Sequence, residues 1–321
     1  MEMNRRSILA GLAVTGILPH AAWAKADGYP ARDPEIIVGF SAGGAGDLAA
    51  RVVAKYVQSS RGVPATLDFR PGAGGTIASD QVARGAKDGS MLALFSVSPF
   101  MVAPHIQDVA YDPETAFTYI VAFAGISIPL FVRSDSPYEN WDQLLDYARA
   151  NPGKLRWATA APRGLAHIAT EAAFRQEGVE ATYVPFGGGA EAVTALLGGH
   201  IDAVVASGYG PYLEAGSVRL LIETGPDPIT EQPDLPNFKS RGYPLAIPAA
   251  YGLVGPAGLP AEIVSWWEDL ILEMTKSPEY GDFLTSLHGH ALYQSSADFT
   301  QNVLQGYRSI GEQIDQLGLR P

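Results

Sequence analysis

The 321 residues carry 22 lysines and arginines against 34 aspartates and glutamates, a net charge of −12, with 47% hydrophobic residues and no cysteine. This balance supports a folded core and excludes a disulfide framework and thiol chemistry, and the acidic surface argues against nucleic acid and anionic lipid as partners. An anionic ligand has to be held by local features, because the overall field repels it.

The chain opens like an exported protein. Arg5 and Arg6 precede an apolar run, Ile8 to Leu18, that is too short to span a bilayer. Ala22-Trp23-Ala24 fits a small-x-small cleavage site, so residues 1–24 read as a signal peptide, secretory or twin-arginine, and the mature chain starts at Lys25. Cleavage removes two basic residues and one acidic residue, which takes the net charge from −12 to −13. No later stretch reads as a transmembrane helix, and no cysteine follows the signal to carry a lipid. A free protein in a bacterial periplasm is expected.

β-like and helix-like segments then alternate. Glu35 to Phe40 reads as a strand, Asp47 to Ser59 as a helix, Ala65 to Phe69 as a strand, Thr76 to Arg84 as a helix and Met91 to Ser96 as a buried strand. The order βαβαβ implies parallel strands joined by crossover helices. A second block repeats the pattern with a different sequence. It has a strand at 130–132, a helix from Trp141 to Asn151, a strand from Leu155 to Thr159 and a helix from Leu165. A strand at 182–184, a helix from Ala190, a strand from Ile201 to Ala206 and another at 220–223 follow. A Pro-rich stretch at 226–248 leads to a strand and turn, YGLVGPAGLP, and to a helix from Ala261 to Thr275. The division expected is one lobe from 28–126 plus 250–321 and a second from 127–249. Ligands of such α/β sheets bind at the carboxyl ends of the strands, in the crevice.

Two motifs in the first loop suggest enzymes. Gly39-Phe40-Ser41-Ala42-Gly43 matches the G-x-S-x-G nucleophile elbow, but in that fold the oxyanion loop lies on an earlier strand, and none is read here. Gly44-Ala45-Gly46-Asp47-Leu48-Ala49 matches G-x-G-x-x-[GA], with Asp68 at the end of the next strand. That keeps an exported dinucleotide-dependent oxidoreductase as the alternative function. Against it, Asp47 at the helix start suits the helix dipole but repels a pyrophosphate. Five histidines follow the signal: His105, His167, His200, His288 and His290. His288-Gly289-His290 is the close pair; with no carboxylate at ligand spacing, it reads as a surface turn. No metal, no cofactor and no catalytic residue is expected.

A repeated device is more informative. Ser41 to Gly46, Arg70 to Gly75, Ala160 to Gly164 and Phe186 to Gly189 each follow a strand, precede a helix and consist largely of small residues. Small residues bring backbone N–H groups close to a ligand, and each helix start adds partial positive charge. Charge-assisted hydrogen bonds of about 1.5–3 kcal/mol each, converging on one carboxylate, can outweigh a diffuse surface repulsion.

These segments also resemble a known family. PEIIVGFSAGGAGDLAARVVA and DFRPGAGGTIASDQVARGAKDGSMLALFS are similar to the solute-binding receptors of tripartite tricarboxylate transporters, the Bug-type proteins. ARANPGKLRWATA, VPFGGGAEAVTALLGGHIDAVV and YGLVGPAGLPAEIV match later landmarks in order, so the resemblance covers nearly the whole mature chain. It implies a two-lobed α/β fold of the type II periplasmic-binding class, a cleft that holds a small carboxylate, and delivery to a large and a small membrane subunit. A monomer is expected. By the resemblance, Ala42, Gly43, Gly44, Ala45, Gly46, Asp47, Gly72, Ala73, Gly74, Gly75 and Thr76 contact one end of the ligand, with Ser98 nearby. Arg163, Gly164, Leu165, Ala166, His167, Phe186 and Gly187 contact the other end, and Ser207 faces the cleft.

Two departures bear on the ligand. Many relatives carry Gly-Thr-Ser-Ser-His where this chain has Arg163-Gly164-Leu165-Ala166-His167, and Pro-Tyr-Lys-Gly where it has Pro185-Phe186-Gly187-Gly188. Hydroxyls and an ammonium are lost, and a guanidinium able to grip a carboxylate with two prongs is gained. The expected ligand is a dicarboxylate or an aromatic carboxylate rather than citrate.

Overall fold

The computed structural model describes residues 29–229, 231–246 and 248–320; the expected signal peptide lies outside them. The chain lays down β1 (Glu35–Val38), α1 (Ala45–Arg61), β2 (Thr66–Phe69), α2 (Thr76–Ala83) and β3 (Met91–Phe95). A wide π turn at Ser98–Val102 runs into the short α3 (Ala103–Ile106), and β4 (Phe117–Ile126) follows. Next come β5 (Pro129–Arg133), α4 (Trp141–Ala150), β6 (Arg156–Thr159), α5 (Leu165–Gln176), β7 (Thr182–Tyr183), α6 (Gly189–Leu197), β8 (Ala203–Val205), α7 (Gly210–Glu214) and β9 (Val218–Glu223). The chain then forms β10 (Ala249–Pro256), α8 (Ala261–Met274), α9 (Pro278–Leu287), β11 (His290–Gln294) and α10 (Ser296–Gln316).

Two sheets result. One has the order β11-β4-β10-β3-β1-β2 and the other the order β7-β6-β8-β5-β9. β2, β1 and β3 are parallel, as are β7, β6 and β8, as the crossover pattern requires. Each parallel trio is continued by antiparallel strands: β10 pairs with both β3 and β4, and β5 pairs with both β8 and β9. The two sheets therefore share one five-strand plan, strand order second-first-third, then an inserted antiparallel strand, then a further strand, and β11 adds a sixth strand to the first sheet. In each sheet the inserted strand is the one on which the chain arrives from the other sheet. Alternation on the strands fills both faces: Ile37 joins one apolar cluster, while Ile36 and Val38 join another with α1 and α8. In the second sheet, Trp141 of α4 stacks on Phe174 of α5 at 5.7 Å, and Trp157 of β6 meets the same ring edge-on at 5.5 Å.

α3, β4, α7, α9, β11 and α10 are additions to the elements read from the sequence. β4 is ten residues long and buried almost throughout, so it lacks the polar alternation that identifies a half-exposed strand. His288 also departs from the surface turn expected of it. Its ring stacks on Tyr209 at 5.4 Å and lies 3.9 Å from Glu214 and 3.7 Å from Glu231, while His290 is exposed. His288 therefore joins the end of α9 to the segment around α7.

The chain crosses between the sheets at Ser127-Ile128 and returns through the stretch after β9. Glu223, the last residue of β9, ties these passages together. Its Oε1 accepts hydrogen bonds from Ile128 N at 3.1 Å and Gly225 N at 2.8 Å, and the neighbouring Thr224 hydroxyl donates to Ile128 O at 2.7 Å. Burial pushes the Glu223 carboxyl up from 4.5 to about 7, against the three backbone donors that lower it. Between these values the folded form holds a proton that the unfolded form has released, so the unfolded state binds fewer protons and stability falls as pH rises. Denaturant unfolding should show stability declining from about pH 4.5 to about pH 7, then flattening for this group. Glu223→Gln should remove that slope; an unchanged profile would mean that the carboxyl titrates normally.

Candidate functional site

The carboxyl ends of the parallel strands in the two sheets face each other. Between them lies a cavity of about 80 Å³. From the first sheet it is lined by the loop after β1 (Phe40, Ser41, Gly44) and the start of α1 (Ala45, Gly46). The end of β3 adds Ser96, Val97 and Ser98. From the second sheet come Ala160 and Ala161, the start of α5 at Leu165 and Ala166, the start of α6 at Gly189, and Val205 to Ser207 after β8. The crossing strands close the back with Ile126, Ile128, Ala249, Ala250 and Tyr251.

Three helix starts thus converge on one small space. The residues that cap α1, α5 and α6 are Gly44, Gly164 and Gly188; all three are extended, and none supplies a side-chain hydrogen bond. The first-turn N–H groups have no partner within their own helices, and each start carries about half a positive charge. The hydroxyl-bearing residues of the lining are Ser41, Ser96, Ser98, Ser207 and Tyr251. Among the described residues, no lysine, arginine, histidine, aspartate or glutamate lines the cavity. Such a surface presents donors and partial positive charge without any formal charge.

The two halves already touch across the gap. Ser98 Oγ accepts from Leu165 N at 3.0 Å, the Ser41 hydroxyl donates to Glu191 at 3.1 Å, and Ser207 lies 3.4 Å from the Tyr251 hydroxyl. Burial pushes the Tyr251 hydroxyl up to about 12, and the Ser207 hydrogen bond partly offsets this, so the phenol keeps its proton near neutral pH. The approach needs glycine at Gly164, where a Cβ would come 2.7 Å from Ser98 Oγ.

Of the residues expected at the site, Gly44, Ala45, Gly46, Ser98, Leu165, Ala166 and Ser207 line the cavity. Ala42 and Gly43 are exposed on the same loop. Asp47 is buried; its carboxylate accepts from Gly43 N at 2.8 Å and pairs with Arg51 at 2.6 Å, so it braces the loop. Gly72, Ala73, Gly74, Gly75 and Thr76 form a tight turn into α2 next to the cavity and outside its lining. Gly74 and Gly75 have φ of 67° and 96°, and a Cβ on Gly74 would lie 3.2 Å from Pro162 O in the second half. Arg163 is exposed and outside the lining; its φ is 57° and its N–H donates to His167 Nδ1 at 2.8 Å. His167 is buried, stacked on Tyr183 at 3.8 Å with Nε2 3.1 Å from Glu171. Phe186 and Gly187 stand outside the lining, and Gly187 N donates to Glu191 at 3.0 Å.

Sequence reasoning missed Ser96, Tyr251 and the crossing-strand residues. Ser96 was legible as the last residue of a buried strand, MLALFS, where an apolar run ends in a hydroxyl. Tyr251 gave no local signal, because β10 reaches the site only through its antiparallel place between β3 and β4.

Among the described residues, the Ser96 hydroxyl is buried and without a hydrogen-bond partner. Removing it costs no existing bond, and an unpaired buried hydroxyl is itself unfavourable. Ser96→Ala should therefore melt at or slightly above the wild-type temperature while weakening binding of a ligand in the cavity. A lower melting temperature with unchanged ligand affinity would assign the hydroxyl a structural role instead.

Residues 49–319 match the family model described as tripartite tricarboxylate transporter family receptor. Among similar proteins, the UPF0065 protein in the gbd 5′ region of Cupriavidus necator is 31% identical over 98% of this chain and 96% of its own. The solved structure of the periplasmic binding protein BugD superposes with a TM-score of 0.84 at 26% identity, covering 91% of this chain and 99% of that one. That of an R. palustris protein with adipate gives 0.81 at 26% identity, covering 90% and 98%.

Proposed function

Because the chain belongs to the receptor family of tripartite tricarboxylate transporters and has the two-lobed periplasmic-binding fold, we propose that it captures a small carboxylate in the inter-lobe cavity and releases it unchanged. The observation that carries this is the convergence of three helix starts with glycine caps, from both lobes, on one cavity that, among the described residues, is lined by no charged side chain. A carboxylate is the ligand such a surface suits, because backbone donors replace its hydration and need no counter-charge. Donors stand at both ends, α1 on one lobe and α5 with α6 on the other. A short dicarboxylate meets both and an aromatic carboxylate is the second candidate. The related R. palustris protein solved with adipate supports that class.

The remaining parts follow the family. The protein works in the periplasm after losing residues 1–24, as a monomer, and passes its ligand to a large and a small membrane subunit. Its lobes are residues 28–126 plus 250–321 and residues 127–249. The dinucleotide alternative is disfavoured by Asp47, whose buried carboxylate stands in the first turn of α1, where a pyrophosphate would have to lie. Ser41, at the centre of the G-x-S-x-G pattern, serves as a lining hydroxyl.

A thermal-shift series of succinate, adipate, benzoate and citrate tests the assignment. The best ligand, at 100 times its dissociation constant, should add about 2.7 kcal/mol, with a dicarboxylate ahead of citrate. Chromatography should recover it intact. A flat series, or consumption of the ligand, would sink the proposal. Arg163→Ala, at an exposed position outside the cavity lining, should change dicarboxylate affinity by no more than about 0.5 kcal/mol. A larger loss by isothermal titration would place the guanidinium on the ligand.

A further inference from the structure

Behind the crossing strands lies a second cavity of about 520 Å³, a size common for small-molecule sites. Ile126, Ile128, Ala249 and Ala250 line both cavities, so the two stand back to back across the strands that join the lobes. The far wall of the second cavity is α10 with β11. It differs from the inter-lobe cavity in chemistry. Its apolar side includes Phe95, Leu292, Phe299 and Ile310. Two of its lining residues, Glu223 and Gln313, each carry a buried side-chain oxygen, Oε2 and Oε1, without a hydrogen-bond partner among the described residues. Glu223 is only 3% exposed, and its other oxygen is already occupied by the backbone of the crossing segments. Asp227 adds a second acid and His290 an imidazole, and no lysine or arginine is among the described residues that line the space.

A buried carboxylate oxygen with no partner is costly. The missing groups here are donors, and the local charge is negative. We propose that this hinge-side cavity is a second ligand site, specific for small amphipathic organic amines, with an ammonium on Glu223 and an apolar arm against α10. Gln313 offers its oxygen to a further N–H. An alcohol of the same shape can donate but gains no charge attraction. Burial holds the Glu223 carboxyl near pH 7, so amine binding should strengthen as pH rises through neutrality, where the carboxylate form takes over.

The test uses the mature protein with hexylamine as probe and hexan-1-ol as the matched neutral. Isothermal titration at pH 8 should show saturable hexylamine binding, at least about tenfold tighter than hexanol, the equivalent of one charge-assisted hydrogen bond. Glu223→Gln should remove that preference. Ser309→Trp places an indole at an exposed lining position of α10, away from the core; it should abolish hexylamine binding and leave stabilisation by adipate unchanged. The adipate arm is scored only for change, so the result reads independently of the carboxylate assignment. No saturable hexylamine binding, or binding that survives Ser309→Trp, overturns the proposal.

Discussion

The inter-lobe cavity presents donors without a formal positive charge, and much of the architecture follows from that constraint. An anion in such a space must exchange hydration for fixed dipoles. Backbone N–H groups at helix starts provide those dipoles only when the helices aim at one point. α1 starts at the carboxyl end of β1, α5 at that of β6, and α6 at that of β7. Three such starts meet because two parallel trios face each other with their carboxyl ends inward. Glycine at each cap keeps side chains out of the way, and Asp47 is spent on Gly43 and Arg51 instead of intruding.

The facing arrangement depends on the crossing strands. β5 and β10 are each inserted antiparallel into the sheet that the chain has just entered, so each passage is hydrogen-bonded on both sides. Glu223 binds one passage to the other at the cost of a buried carboxyl. Contacts away from the crossing strands are of a different kind: single hydrogen bonds through Ser98 and Ser41, and the His288 ring seated on Tyr209. Joined by continuous strands at the back and by isolated polar contacts at the front, the lobes are held most firmly at the hinge.

Legibility of the site in the sequence tracked how local each signal was. Gly44 to Gly46, Leu165 and Ala166 were found because a strand, a small-residue loop and a helix lie within a few residues of one another. Ser98 and Ser207 came with the resemblance to the receptor family. Arg163 was expected at the ligand from its place at a helix start; it lies on a turn of positive φ, with its N–H bonded to His167 and the residue exposed outside the cavity lining. His288 looked like a surface turn, yet Tyr209, nearly eighty residues away, gives its ring a buried face. β4 escaped because a strand buried on both sides has no alternation to display.

The sequence by itself determined the α/β class, the two parallel trios and the glycine-rich strand-to-helix loops. Each of these depends on residues close together in the chain: hydrophobic period, turn chemistry and helix caps. Tertiary structure alone decided which loops share a cavity, how large it is, which side chains are turned away from it, and that a second cavity lies behind the hinge. Those outcomes depend on β10 returning between β3 and β4, and on α10 packing behind the crossing strands. Pairings across well over a hundred residues are set by the summed burial of both sheets, and no single segment carries that sum.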